Sequence, residues 1–173
     1  MIKKLTVSDL DEAMLCIEDA RKLLADSGSL QWNTPDGYPR REDILKDIET
    51  GVLYGYVDDT GIRGICAIIL GREGNYDIVY DGNWRSSAAT YLAIHRIAVR
   101  ANARGTGVSV SLVDFAKELM KDYNTDTIKA DTHEMNIPMQ KLLLKCGFSC
   151  IGKIKLLRTN IDNERLAFDY INN

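Results

Sequence analysis

The part of the chain that most limits its possible folds is residues 91–121, where an apolar strand, a glycine turn and an amphipathic helix follow one another without interruption. Residues 92–99 are mainly apolar, with one charged exception at Arg96, and are rich in β-branched side chains, which predicts a buried central strand. Residues 100–107 hold two glycines and no large apolar side chain, and they break that strand. From Val108 onward the apolar residues recur at helical spacing, so the helix begins directly after the turn.

A glycine turn at the start of a helix has the properties of an anion site. The amides of the first helical turn have no partner within the helix, and the helix dipole adds partial positive charge there. Gly105 and Gly107 allow a ligand to approach the backbone closely. We therefore expect an anion to bind at this turn.

The composition restricts the class of protein. A length of 173 residues with 45% hydrophobic content fits one domain, residues 1–173. The net charge of -3 and the lack of a basic run argue against nucleic acid or a membrane surface as partner. The sequence has no 18-residue apolar run and no apolar core after its first lysines, so we expect a cytoplasmic protein without a signal peptide or membrane span.

The cysteines show no CxxC pairing and lie in apolar or mixed segments. This pattern favours buried free thiols over a disulfide set or a zinc site, and we expect no metal site. The residues concerned are Cys16, Cys66, Cys146 and Cys150.

Periodicity and turn residues predict the order strand, helix, helix, three strands, helix, strand, helix, two strands. Two long polar connections, residues 29–40 and 71–89, carry aromatic side chains. No repeat or linker divides the chain. The expected fold class is therefore a mixed α/β (α+β) sandwich of helices on a twisted sheet.

Two familiar phosphate motifs do not match the glycine turn. A P-loop requires a lysine after its last glycine, and Val108 stands there instead. A dinucleotide-binding turn requires a third glycine where Val110 stands, and it follows the first strand of its fold rather than the fourth.

The remaining pattern, R-x-x-G-x-G/A, resembles the pyrophosphate loop of the GNAT superfamily of acetyl-CoA-dependent N-acetyltransferases. Residues 132–148, THEMNIPMQKLLLKCGF, are similar to a second GNAT signature, an Asn-bearing strand end followed by a helix and a Lys-x-Gly-Phe ending. The resemblance implies the GNAT fold, a mixed central sheet of about seven strands flanked by about four helices. It also implies acetyl-CoA as the cofactor.

The resemblance assigns three groups of cofactor-binding residues. The edge of the central strand at Ile97, Ala98 and Val99 would pair with the pantetheine arm and face the thioester oxygen. Asn136 would meet the same arm, although it is also suited to capping the helix that follows. The pyrophosphate loop would consist of Arg104, Gly105, Thr106, Gly107, Val108 and Ser109, of which Ser109 departs from the usual Gly or Ala.

The catalytic assignment is less complete, because Leu143 stands where the family often has the tyrosine that protonates the leaving thiolate. Tyr123 or a loop tyrosine could take its place. For the general base, strand alternation puts Tyr91, Ala93, His95, Ile97 and Val99 on one face, and Tyr91 occupies the position of a glutamate base in some relatives. We therefore predict His95 and Tyr91 as catalytic residues.

Three further side chains have weaker claims to a role in the reaction. His133 is a second candidate base, although a structural or solvent-facing role is the alternative. Glu73 and Asp77, in the long connection before the central strand, could instead bind the amine.

The acceptor pocket should be formed by the two aromatic connections. We expect it to bind a small primary amine through cation-π contacts and ion pairing, with Asp77 or Asp81 nearby. The predicted substrate-binding residues are Trp32, Tyr38, Tyr76, Tyr80 and Trp84. The alternatives are acetylation of a protein amino terminus and a catalytically weak acyl-CoA-binding module, and a homodimer is also expected of the family.

Overall fold

The computed structural model describes residues 1–172, at the centre of which is a seven-stranded sheet with the order β1-β2-β3-β4-β5-β7-β6. The strands are β1 (Ile2–Lys4), β2 (Leu53–Asp58), β3 (Gly61–Gly71), β4 (Tyr91–Val99), β5 (Thr127–Thr132), β6 (Ser149–Lys155) and β7 (Glu164–Ile171). The helices are α1 (Leu10–Asp26), α2 (Arg41–Glu49), α3 (Val108–Asp122) and α4 (Ile137–Lys145). The predicted element order and the mixed α/β fold class are confirmed.

Strands β4 and β5 are the one parallel pair of this sheet, and they separate before they end. Their pairing covers only Leu92 to Ile94 of β4, opposite Ile128 to Ala130 of β5. Beyond Ile94, β4 keeps its pairing with β3 but has no hydrogen-bonded neighbour from β5. The sheet is therefore open between the C-terminal halves of these two strands.

A bulge in β4 changes the side-chain alternation predicted for that strand. His95 pairs with Ala67 and Ala98 pairs with Ile65, so two residues of β4 lie opposite one residue of β3. Arg96 lies at the bulge with a positive φ of 50°.

The predicted common face of β4 is consequently correct only up to the bulge. Tyr91 and Ala93 belong to one core cluster on their side of the sheet. Ile97 and Val99, in contrast, pack with the cluster of Leu92 and Ile94 on the opposite side.

The core lies on both faces of the sheet. Helices α1 and α2 cover one face through buried residues such as Ile17 and Ile44. Helices α3 and α4 cover the other through residues such as Leu112 and Leu143. A third cluster, built around Tyr76 and Tyr91, lies beneath the connection between β3 and β4.

The cysteines partly follow the prediction of buried free thiols. All four are free, and Cys16, Cys66 and Cys146 are buried. Cys150 is exposed, because it lies on the edge strand β6, and the prediction was wrong for this residue. None of the helices within residues 1–172 combines the length and apolar character needed to cross a membrane.

Candidate active site

A cavity of about 500 Å³ occupies the opening between β4 and β5. One end, here called the glycine end, is lined by the exposed edge of β4, the glycine turn and the start of α4. The other, the acidic end, is lined by polar side chains from six parts of the chain. These are Tyr38, Glu73, His95, Arg96, Asp131, Arg158 and Arg165.

The glycine turn is shaped to accept a ligand against its backbone. Gly105 and Gly107 have positive φ angles of 78° and 92°, which favour glycine, and a Cβ atom built on either would meet nothing within 4 Å. Gly107 is the N-cap of α3 and supplies no side-chain oxygen to the first-turn amides. Those amides therefore receive no side-chain cap, and anion binding at this turn stays a prediction.

Helix α1 holds the beginning of this turn in place through Asp19. The Oδ2 atom of Asp19 accepts hydrogen bonds from Nε of Arg100 at 2.7 Å and from the amide of Ala101 at 2.9 Å. The guanidinium of Arg104 donates to the Asp19 carbonyl, so this side chain binds α1. Burial would raise the pKa of Asp19, but these donors outweigh it and hold the pKa below its usual value.

Asn136 caps α4 and also lines the cavity at the glycine end. Its Oδ1 atom accepts a hydrogen bond from the amide of Met139 at 3.2 Å and caps α4. Its Nδ2 atom donates to Oε1 of Gln31 at 3.0 Å, and the residue lines the cavity. The cap therefore orients an amide side chain at the cavity wall.

His95 and Glu73 face each other at the acidic end. Nε2 of His95 lies 3.3 Å from Oε2 of Glu73, within ion-pair range but outside hydrogen-bond geometry. The proximity of His95 lowers the pKa of Glu73, against the effect of burial. The other carboxylate oxygen of Glu73 accepts a hydrogen bond from Asn75 at 3.1 Å. An imidazole beside a carboxylate can accept a proton from a bound ligand.

Tyr76 supports this pair from below and also reaches a second carboxylate. Its ring stacks on the imidazole of His95 with 5.9 Å between centroids. Its hydroxyl donates to Oδ1 of Asp131 at 2.7 Å. One buried tyrosine therefore orients both His95 and Asp131.

A buried ion pair forms the wall opposite Glu73. Arg96 donates to Asp47 through Nε and, at 2.8 Å, through Nη2, and its Nη1 donates to Oη of Tyr38 at 2.7 Å. Burial raises the pKa values of Asp47 and Tyr38 despite the opposing charge of Arg96. The guanidinium of Arg158 then stacks on the Tyr38 ring at 4.0 Å and pairs with Asp36.

Residues 17–148 match the model of the acetyltransferase (GNAT) family. The chain belongs to the GNAT acetyltransferase family. It is thus an acyltransferase of a family that uses acetyl-CoA, and the fold described above is the GNAT fold.

Individual GNAT relatives agree with this assignment. Streptothricin acetyltransferase from Escherichia coli is 29% identical over 152 residues, which cover 85% of this chain and 78% of that protein. A GNAT acetyltransferase from Streptococcus agalactiae 2603 is 35% identical with a TM-score of 0.89, over 100% of this chain and 95% of the other. A ribosomal-protein-alanine N-acetyltransferase from Brucella melitensis shares the fold alone, at 17% identity and a TM-score of 0.66 over 99% of both chains.

The predicted residues of the GNAT cofactor site lie together at the glycine end. Ile97, Ala98, Val99, Arg104, Gly105, Ser109 and Asn136 all line the cavity. Thr106, Gly107 and Val108 do not line it. The hydroxyl of Thr106 donates to the Ala103 carbonyl, and Val108 is buried in the core.

The aromatic residues predicted to bind substrate are only partly at the cavity. Trp32 and Tyr38 line it. Tyr76 is buried beneath His95, and Trp84 packs on Tyr76 with 5.3 Å between ring centroids, so neither walls the cavity. Tyr80 also lies outside it, because its backbone pairs with Lys153 on β6. The aromatic side chains of the connection between β3 and β4 therefore pack beneath the site, and Glu73 is the proposed site residue that this connection brings to the cavity wall.

Two of the alternative acids and bases, Tyr123 and His133, do not line the cavity. Tyr123 caps the C-terminal end of α3, and Leu143 is fully buried in the core. His133 is structural: its Nδ1 accepts from the amide of Met135 at 3.1 Å and its Nε2 donates to Asp162 at 2.8 Å.

The three acidic residues suggested for amine binding have different positions. Asp77 pairs with Arg72 at 2.8 Å, and neither Asp77 nor Asp81 lines the cavity. Glu73 does line it, as described above.

Proposed function

We propose that this chain transfers the acetyl group of acetyl-CoA to the primary amine of a small cationic molecule by direct attack in a ternary complex. One observation carries the proposal: a single cavity joins the open β4 edge and glycine turn to a histidine-carboxylate pair. The relative named for streptothricin, which the chain matches over most of its length, supports a small-molecule acceptor.

The glycine end fits the cofactor. The unoccupied Cβ positions of Gly105 and Gly107 leave room for a diphosphate against the amides of α3. The unpaired β4 edge at Ile97 and Val99 offers backbone groups to the pantetheine amides, in the manner of an added strand. Acetyl-CoA supplies an activated thioester when it is bound there.

Side chains of the acidic end would handle the protons of the reaction. His95 accepts the proton that a substrate ammonium must lose before its nitrogen can attack, and Glu73 stabilises the resulting imidazolium. Of the tyrosines suggested as proton donors to the departing thiolate, Tyr38 lines the cavity. Its pKa is raised by burial, which keeps its hydroxyl protonated. Tyr91 contributes indirectly: its hydroxyl accepts a hydrogen bond from the backbone amide of Glu73 and so helps to position that residue.

An assay of acetyl-CoA-dependent thiol release tests this function. The panel should contain streptothricin, polyamines, amino acids, aminoglycosides and a peptide with a free amino terminus. We expect turnover of at least one small cationic amine. Turnover of the peptide alone would instead establish an N-terminal acetyltransferase. Calorimetric binding of CoA without turnover of any amine would establish a binding module.

A further inference from the structure

Arg165 is a buried arginine whose guanidinium is only partly used by the protein. The residue lies on β7, is 3% exposed and lines the acidic end of the cavity. Its Nη1 atom donates to the backbone carbonyls of Asp162 and Glu164, each at 2.7 Å, and these bonds orient the group. Within residues 1–172, its Nε and Nη2 atoms donate to no protein group. Buried polar groups normally have partners, so this edge of the guanidinium is available to a ligand in the cavity.

The same edge of two other arginines in this chain binds a carboxylate. Arg72 donates to both carboxylate oxygens of Asp77, through Nε at 2.8 Å and through Nη2 at 2.9 Å. Arg96 binds the two oxygens of Asp47 through the same two nitrogens. The N–H groups of Nε and Nη2 are parallel, and their spacing matches that of two carboxylate oxygens. The free edge of Arg165 is therefore complementary to a carboxylate.

The acidic residues near Arg165 do not occupy this edge. Asp162 comes no closer than 4.0 Å, and it does so at Nη1. Asp131 opposes the Arg165 charge most strongly, but its Oδ1 atom accepts the Tyr76 hydroxyl at 2.7 Å, and among the described residues it forms no ion pair with Arg165. Burial lowers the pKa of Arg165 below its usual value, although both acids oppose this effect. They thus offset the charge of Arg165 and leave its hydrogen-bonding edge free.

Arg158 brings a second guanidinium to the same part of the cavity. Its positive charge adds to the effect of burial on the pKa of Arg165, so the two groups are near each other. Nη1 of Arg158 pairs with Asp36, and the guanidinium stacks on the Tyr38 ring at 4.0 Å. In the described part of the chain, its Nε and Nη2 atoms also have no acceptor. An anion bound beside both arginines would reduce the repulsion between them.

The wall of the acidic end carries charges of both signs. Its charged carboxylate and guanidinium residues are Glu73, Asp131, Arg96, Arg158 and Arg165. Glu73 comes from the connection between β3 and β4 and lies beside His95, where the reacting amine must lose its proton. The arginines with free edges come instead from the β6-β7 connection and β7. A molecule that has an amine and a carboxylate in different places matches this division.

From this arrangement we infer that the acceptor amine also carries a carboxylate, which binds the free Nε–Nη2 edge of Arg165 with Arg158 beside it. The assignment rests on the proposed function and deepens it. A basic amino acid meets both requirements, because it is cationic overall and has one carboxylate. Arg165 and Arg158 are specificity-determining residues in this arrangement, and neither takes part in the transfer of the acetyl group.

Three acceptors test this assignment: L-lysine, L-lysinamide and 1,5-diaminopentane. They share two primary amines on a five-carbon chain, and they carry a carboxylate, a neutral amide or a hydrogen atom at the same carbon. We expect kcat/KM for lysine to exceed that for lysinamide about 10-fold, as for a charge-assisted hydrogen bond. The difference should lie mainly in KM, because the carboxylate is remote from the reacting atoms. Ornithine and ornithinamide repeat the comparison with a chain that is one carbon shorter.

Substitutions of the two arginines should change the preference for the carboxylate. Arg165→Gln removes the charge and the paired donors, so it should abolish the preference for lysine over lysinamide. Arg165→Lys keeps the charge without the paired donors and should retain a preference of about threefold. Because Arg165 also holds two backbone carbonyls, Arg158→Gln provides a second test at a less buried position, where the preference should fall to about threefold as well.

Two controls separate a change of specificity from a loss of folding. CoA affinity, measured by calorimetry, should be the same in the arginine variants as in the native chain. Arg41→Gln removes an arginine that pairs with Asp11 on the surface, outside the cavity, and should retain the full preference for lysine.

The outcomes that contradict the carboxylate assignment differ from failure of the proposed function. Equal kcat/KM for lysine and lysinamide, a preference for 1,5-diaminopentane, or a lysine preference that survives in both Arg165→Gln and Arg158→Gln would overturn it. Turnover of other amines in the panel without turnover of lysine or ornithine would overturn this assignment alone. No thiol release from any amine would overturn both proposals.

Discussion

The hydroxyl of Tyr91 accepts a hydrogen bond of 2.9 Å from the backbone amide of Glu73. The first residue of β4 thereby holds the connection that brings Glu73 to His95, which lies on the same strand. Tyr91 itself is buried and does not line the cavity. Its contribution to catalysis is therefore the position of Glu73, and Tyr91→Phe would remove that support while keeping the ring.

We expect Tyr91→Phe to lower kcat about fivefold, because the backbone of Glu73 loses its hydrogen bonds with the hydroxyl, while CoA affinity stays unchanged. Tyr123→Phe is the matched control, because Tyr123 lies at the far end of α3 and should not affect kcat. Steady-state kinetics with a responsive amine measure both variants. An unaltered kcat in Tyr91→Phe would show that the Glu73 connection does not depend on this contact.

The two histidines should respond differently to the same substitution. His95→Gln removes the proposed base and should lower kcat about 100-fold at neutral pH, while thermal stability changes little. His133→Gln breaks two hydrogen bonds of a buried side chain, so it should lower the free energy of unfolding by about 2 kcal/mol and keep kcat. Parallel kinetic and thermal-unfolding measurements distinguish them, and the reverse pattern would exclude His95 as the base.

Glu73→Gln examines the coupling within the proposed catalytic pair. If Glu73 acts only through His95, the double variant His95→Gln/Glu73→Gln should be no slower than His95→Gln alone. We expect Glu73→Gln by itself to lower kcat about 10-fold, because the imidazolium loses its carboxylate. Single-turnover rates of the three variants provide the measurement. Additive losses would instead assign Glu73 an independent role, such as direct binding of the amine.

Local patterns in the sequence were sufficient to predict the element order and the glycine turn. Both depend on neighbours in the chain: apolar periodicity defines α3, and Gly105 and Gly107 define the turn before it. The bulge in β4 could not be predicted in this way, because it depends on the register with β3. One signal was present, since Arg96 is the one charged residue of a mainly apolar strand and lies at the bulge.

The composition of the acidic end was less accessible to sequence analysis. Asp131, Arg158 and Arg165 come from β5, the β6-β7 connection and β7, and only the folded sheet brings them to one cavity. Tyr80 and Trp84 show the opposite error. Their aromatic character indicated an ordered connection correctly, but the side on which that connection packs is decided by contacts such as the Tyr80–Lys153 bridge.

The space beside Gly107 leads to a prediction about cofactor affinity. Gly107→Ala adds a methyl group where the diphosphate would lie and imposes a positive φ on alanine, so CoA affinity should fall at least 10-fold. Gly147→Ala is the control, since its φ of 81° imposes comparable strain at the end of α4, away from the cavity. Both variants should lose about 1 kcal/mol of stability. Calorimetry with CoA separates them, and equal affinities would place the diphosphate elsewhere.

The tether from α1 to the glycine turn predicts a stability difference that depends on pH. Because the pKa of Asp19 is held below its usual 3.8 in the folded protein, its contribution to stability is present above about pH 3.8 and is lost as the pH falls through the lowered pKa. Asp19→Asn should therefore be less stable than the native chain by about 1 kcal/mol at pH 7. The two unfolding curves should converge as the pH falls below about 3.8, when measured with urea from pH 7 downward. Asp114→Asn, at an exposed pair on α3, should differ from the native chain in free energy of unfolding by less than about 0.5 kcal/mol throughout.

The same tether should affect cofactor binding. Because the carboxylate of Asp19 accepts hydrogen bonds from Arg100 and Ala101 at the start of the glycine turn, Asp19→Asn should bind CoA more weakly. A loss of stability without weaker CoA binding would show that the turn does not depend on this tether.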